Sequence, residues 1–370
     1  MELQAARSGA AQGRFWPLLR LSLAAHALPI GLAFAYLAGF LFISGSVAAA
    51  NVKAGGEVMA GILLFSVPAV FFALLIFKFA EMAIYEKPES PIKGLWRNFK
   101  AVVTDRERMA AGLPMFLALV IFTYVFTMVK AYITVLAPFS WDMALDRWDV
   151  ALHFGYRPWE LLQPVFGYWP VTFIVNLNYN MWFVVMNVFW AYYAFIARPG
   201  AERTRFFMSY MTIWIIGGGV LAVVFSSAGP CYFGRIGLTP DPYTPLMEYL
   251  RAANDHLPIW ALNAQDMLWD LQAEGSAFGG ISAMPSMHNA TALLFVLTSA
   301  GRPIWVRRGL LFHAALIFLG SIHLGWHYAV DGYLAFALAY AVWRTMGPVA
   351  RWWENSGSVK NYQAALRVEG

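Results

Sequence analysis

The long apolar runs constrain this chain more than any other feature. Leu18 to Ile43, Met59 to Ile84 and Leu113 to Leu136 each exceed the roughly 18 residues that mark a membrane-crossing helix. No barrel-like alternation accompanies them, so the spanning element is the helix, which satisfies its own backbone hydrogen bonds. The expected fold class is all-α, a polytopic membrane bundle of about eight transmembrane helices. With 60% hydrophobic and 13% charged residues, the chain lies outside the range of soluble globular proteins. Aromatic residues at 17%, 16 of them Trp, suit belts at the two membrane interfaces.

Further spans are expected at about Val171 to Ile196, Phe206 to Ser226, Pro285 to Ala300, Leu310 to Gly325 and Tyr328 to Met346. The first follows a polar leader carrying Arg7, Arg14 and Arg20. Val47 to Ala50 faintly resembles a signal-peptidase site, but the apolar run before it is too long for a secretory core of about 7 to 15 residues, so it counts as a helix. Placing the amino terminus in the cytosol puts 19 of the 26 Lys and Arg on that side. The positive-inside rule then sets both termini inside. This distribution explains the net charge of +5 without a nucleic-acid partner. A single cysteine, Cys231, permits no intramolecular disulfide and reads as a packing residue.

Three parts follow from this map: an amino-terminal two-helix addition with a basic cytosolic loop (1–109), a six-helix catalytic core (110–350) and a cytosolic tail (351–370). Within the basic loop, Glu86 to Met109, an amphipathic interfacial helix is expected. The Trp- and Asp-rich stretch from Pro138 to Pro170 reads as short interfacial helices. Prolines 240, 242 and 245 break the long polar segment from Gly229 to Met284, while Met247 to Leu271 reads as one or two amphipathic helices. Asn176, Asn178 and Asn180 are expensive against lipid and are expected to face the bundle interior or a wet cavity. The chain reads as an integral protein of a bacterial inner (plasma) membrane.

Two short motifs meet at the outer face on this topology. Pro285–Ser286–Met287–His288 opens a helix, where free N–H groups and the positive dipole end favour an anion that Ser286 can also contact. His323, His327 and Asp331 follow at i, i+4 and i+8. Gly325 divides this stretch, so His323 is expected to close one helix while His327 and Asp331 open the next. A carboxylate one turn from an imidazole fixes its tautomer, giving a nucleophile, and a second histidine can protonate a leaving alkoxide. His26 and His313 read as hydrogen-bonded core residues, and His153 and His256 as interfacial or loop residues.

Together, Pro285–Ser286–Met287–His288 and His327–Tyr328–Ala329–Val330–Asp331 resemble the second and third signature motifs of the type 2 phosphatidic acid phosphatase superfamily. Within it, the pattern is similar to the branch of inositol phosphorylceramide synthase-like lipid phosphotransferases. The resemblance implies a lipid phosphotransferase or lipid phosphate phosphatase with a six-helix core. It makes His327 the nucleophile of a phospho-histidine intermediate, Asp331 its orienting partner and His288 the general acid and base. Ser286 would contact phosphate, and no metal or other cofactor would be needed. His323, at the end of the preceding helix, reads from its position as a supporting or phosphate-contacting residue. The partners implied are a lipid or polyprenyl phosphate donor and a hydroxyl acceptor, whether lipid headgroup, sugar or water.

The departures from that pattern are specific. No Lys, six residues, then Arg-Pro follows the fifth span, and Ser321 stands where an Arg precedes the nucleophile by six residues. Arg235 is the leading candidate to meet phosphate charge, with Arg251, Lys130, Arg147 and Arg157 behind it; a solvated loop charge is the alternative for Arg235. Loss of the usual basic residues favours the phosphotransferase branch. Two other classes stay open. His288, His323, His327 and Asp331 match ligand spacing for zinc or iron in a metal-dependent hydrolase or oxidoreductase. A lipid transporter is the third, although the two halves show no symmetry of broken helices.

Overall fold

The computed structural model describes residues 15–50, 52–86, 90–276 and 278–367. The leader arginines Arg7 and Arg14, together with Lys87 of the basic loop, lie outside the described residues. The described chain is all-helical and contains no strand. Six helices are long and apolar enough to cross a membrane. It is an integral membrane protein, a polytopic helical bundle.

The first expected span is divided. α1 (Phe15–Ala25) is short, and α2 (Ala27–Ala50) carries the apolar run Ala27–Gly45. Pro29 explains the break, because it has no N–H to bond the Ala25 carbonyl and its ring crowds that group. α3 (Val52–Glu81) is the second span, and α4 (Pro91–Thr104) is the amphipathic helix expected in the basic loop, burying Phe99 and Val102 and exposing Lys93, Arg97 and Lys100. α5 (Arg106–Leu136) starts at an Asp105 cap whose side chain accepts the Glu107 and Arg108 N–H groups. At 31 residues it extends about 46 Å at 1.5 Å per residue, well beyond a hydrocarbon core of about 30 Å.

Two short helices, α6 (Asp142–Leu152) and α7 (Pro158–Phe166), precede the spanning helix α8 (Trp169–Ala191). α9 (Ala201–Ile215) continues through a π-helical turn, Ile216–Leu221, into α10 (Ala222–Val224). The polar segment then folds into α11 (Thr244–Asn254) and α12 (Trp260–Ala273). The last elements are α13 (Met287–Thr298), α14 (Ile304–His323), α15 (Ala329–Glu354) and α16 (Gly357–Arg367).

Two of the eight expected spans are not among the six long apolar helices. α13 has 12 residues, too short to cross a bilayer alone, and α15 is long but more polar. α13 lies inside the bundle, packed on α9, α14 and α15. Its buried face, including Leu294 and Phe295, shows why it stays apolar without lipid contact. α14 packs on α8, and α15 on α9. α2 lies against α5 and α9, and α3 against α8 and α5.

Candidate active site

The third motif forms at a helix start. α14 ends at His323, Gly325 turns the chain at φ 74°, and α15 begins at Ala329. His327 therefore precedes α15, while Asp331 occupies the third position of its first turn. The Asp331 Oδ2 atom accepts the Tyr328 N–H at 3.0 Å and faces His327 Nδ1 at 3.3 Å. One carboxylate thus caps the helix and orients the imidazole. The His327 N–H is held in turn by the Ser321 carbonyl at 3.0 Å.

The second motif is joined to the third by backbone. The Ser286 N–H donates to the Asp331 carbonyl at 3.3 Å, and Asn289 Nδ2 bridges Ser286 Oγ at 3.0 Å and Ser321 Oγ at 3.3 Å. Ser286 caps α13, which starts at Met287, two positions later than expected, so Pro285 lies just outside the helix. His288 sits in an aromatic slot, its ring centroid 4.7 Å from Tyr179 and 4.1 Å from Trp182. Trp182 is itself tied to Thr291 Oγ1 at 2.8 Å. The rings of His288 and His327 stand 6.4 Å apart.

Both imidazoles line a cavity of about 350 Å³ whose walls include Lys130 from α5, Asn180 and Phe183 from α8, Met267 and Leu268 from α12, and Ile281. Burial pushes the His327 imidazole down to about 3, with Lys130 adding to the effect and the Ala283 carbonyl opposing it. His327 is consequently neutral at physiological pH, the state a nucleophile requires.

The other expected phosphate contacts lie elsewhere. Ser286 is fully buried, with its hydroxyl engaged by Asn289. His323 is fully buried and meets Thr172 Oγ1 through Nε2 at 2.9 Å, beside Phe166 and Tyr249. Arg235 is ion-paired with Asp266 and lies against Tyr232 and Trp269. None of the three lines the cavity. His288, His323, His327 and Asp331 do not make one ligand set, and among the described residues no three His, Cys, Asp or Glu side chains are arranged to hold a metal ion.

Three carboxylates on α6 form a buried scaffold behind the site. Asp142 accepts the Ala228 N–H at 2.9 Å, the Gly229 N–H at 2.8 Å and the Tyr328 hydroxyl at 2.9 Å. Asp149 accepts the first N–H groups of α15, from Ala329 at 2.8 Å and Val330 at 3.0 Å. Asp146 binds Arg157 Nε at 2.8 Å and the Tyr243 hydroxyl at 2.8 Å. Burial raises both Asp142 and Asp149, the latter to about 7, against the hydrogen bonds that favour ionisation. The spacing of 142, 146 and 149 is i, i+4, i+7, one helical face, which was the available signal for this role.

The asparagines of α8 divide their work. Asn176 is buried and accepts the Ala261 N–H at 3.2 Å, Asn178 pairs with His313 at 2.9 Å, and Asn180 lines the cavity. His26 is a buried core residue, its Nδ1 against the Ser22 carbonyl at 2.7 Å. His153 meets the Tyr333 hydroxyl at 2.9 Å, and His256 stacks on Trp169.

Fold and site together define a membrane-embedded helical bundle with two histidines and a carboxylate around an internal cavity. Residues 143–345, more than half of the chain, match the family model of the PAP2 superfamily, and the chain belongs to that superfamily. Membership assigns an activity of the phosphatase or phosphotransferase type. No curated protein and no solved structure matches the chain.

Proposed function

We propose that the protein is a lipid phosphotransferase or lipid phosphate phosphatase working through a phospho-histidine intermediate. The observation that carries this reading is the facing pair of imidazoles, His327 and His288, 6.4 Å apart across one cavity with Asp331 behind His327. Nδ1 of His327 is committed to Asp331, so attack on phosphorus falls to Nε2. The bond from phosphorus to the leaving alkoxide breaks as the P–N bond forms, and His288 gives the alkoxide its proton. An acceptor hydroxyl, from water or a second substrate, then loses its proton to His288 and attacks phosphorus. The P–N bond breaks, and its electron pair returns to His327.

Substrate enters from the bilayer in this reading. Phe183 and Met267 both line the cavity and are about half exposed, at 47% and 55%, on helices α8 and α12. That gap admits an acyl or polyprenyl chain laterally while the phosphate reaches the histidines. The loop charges orient both termini to the cytosol and the site to the outer face. The largely apolar cavity wall, in which Lys130 is the one charged side chain among the described residues, supports the branch similar to inositol phosphorylceramide synthase, in which a lipid or sugar hydroxyl replaces water.

Purified protein in detergent, given labelled phospholipids and polyprenyl phosphates with and without hydroxyl acceptors, tests this. Release or transfer of the phosphorylated group is expected, and Asp331→Ala and His327→Ala should abolish it. Undiminished activity in His327→Ala would overturn the assignment.

A further inference from the structure

An ammonium group inside a membrane bundle is expensive, and it persists where it has a task. Lys130 is the last charged residue of α5, about 9 Å before the helix ends at Leu136 by the rise of 1.5 Å per residue. A lysine so placed on a lipid-facing surface would extend to the interface. Lys130 instead lines the cavity shared by His288 and His327. Among the described residues no hydrogen bond or ion pair engages its ammonium. The lining contains no Asp, Glu or Arg, so Lys130 supplies its formal charge.

The chain before the second motif fixes this lysine. A Cβ added to Gly280 would lie 2.6 Å from the Lys130 backbone C and O atoms and 2.8 Å from its Cγ. Only glycine allows the approach to Pro285 to lie directly on α5 at Lys130. The start of α13, whose first N–H groups face no preceding turn, presents Met287 and His288 to the same cavity.

Resting on the phosphoryl-transfer reading above, we propose that Lys130 is the phosphate-binding residue of this site, supplying the positive charge that Ser321 and the sequence after α9 do not. It binds a non-bridging oxygen of the phosphoryl group while His327 attacks. The residue lies outside the matched segment 143–345, so the working site extends into α5. Arg235, engaged by Asp266, is relieved of this role.

Orthophosphate binding by the full chain in detergent tests the proposal, read from the rise in melting temperature with phosphate concentration. Loss of one charge-assisted hydrogen bond predicts about 10- to 100-fold weaker binding in Lys130→Met, with Lys130→Arg intermediate. Neither variant should melt below wild type without phosphate, since Lys130→Met removes a charge that is costly to bury; Lys130→Gln replaces Lys130→Met if the latter does not fold. Equal phosphate affinity in wild type and the neutral variant, or no binding by wild type, overturns the assignment. His327→Ala separates this from the catalytic reading: it should lose turnover yet keep the phosphate binding that Lys130→Met weakens. Full turnover in His327→Ala would remove the phospho-histidine while leaving the Lys130 comparison decisive.

Discussion

Replacing Asp331 by Asn removes one charge and should weaken the nucleophile while preserving the fold. In the wild type, Oδ2 serves both the Tyr328 N–H at 3.0 Å and His327 Nδ1 at 3.3 Å. Because one oxygen serves both groups, an asparagine whose carbonyl oxygen takes the place of Oδ2 keeps the helix cap and the Nδ1 contact together. What it loses is the negative charge that stabilises the His327 imidazole as it becomes positive in attacking phosphorus. Exchanging a charge-assisted hydrogen bond for a neutral one predicts a loss of about 10- to 100-fold, roughly 1.4 to 2.7 kcal/mol of barrier at 1.36 kcal/mol per decade. Single-turnover measurement with a labelled lipid phosphate donor reads the loss, and thermal unfolding in detergent checks that the cap survives. An Asp331→Asn enzyme within threefold of wild type would refute the role given to the carboxylate charge.

The scaffold and its neighbours yield three further expectations. Asp149→Asn leaves one of the Ala329 and Val330 N–H groups without an acceptor, so it should lower stability by about 1 to 3 kcal/mol in thermal or denaturant unfolding. Because burial raises Asp149 to about 7, its proton-linked stability is full below its unfolded value near 3.9 and is lost as pH rises through 7. The wild-type melting temperature should therefore fall across that window, with a smaller slope in Asp149→Asn. His288→Ala should reduce turnover of alkyl donors by about 10² to 10⁴, and donors with a more acidic leaving group should recover much of it; an equal loss for both would remove His288 from the proton transfer. Gly229 has φ 104° and a Cβ there would meet the Trp326 carbonyl at 2.7 Å, so Gly229→Ala should cost about 1 to 3 kcal/mol in unfolding experiments.

Sequence pattern made much of this site legible because its chemistry lies in local spacing. His327 and Asp331 stand four apart, Gly325 breaks the helix before them, and Ser286 caps the helix bearing His288. Those features depend on neighbours within one turn. The role of Lys130 depends on contacts across 150 residues, and spacing carries no record of them. Arg235 reads as the better phosphate ligand because it stands just beyond the fifth expected span; its engagement by Asp266, 31 residues later, is a tertiary fact. The carboxylates of α6 were similarly visible as one face but not as caps for Gly229, Ala329 and Val330. Apolar content predicted a full span for α13, whereas burial by α9, α14 and α15 gives a 12-residue helix the same composition as one in lipid.

The central claim is that phosphorus becomes bonded to His327 during turnover. Rapid quenching of the purified protein with a donor labelled at phosphorus, followed by peptide mapping, measures this directly. The account predicts label on the His327 peptide in wild type and none in His327→Ala. Label on any other residue, or turnover in His327→Ala at the wild-type rate, would contradict it.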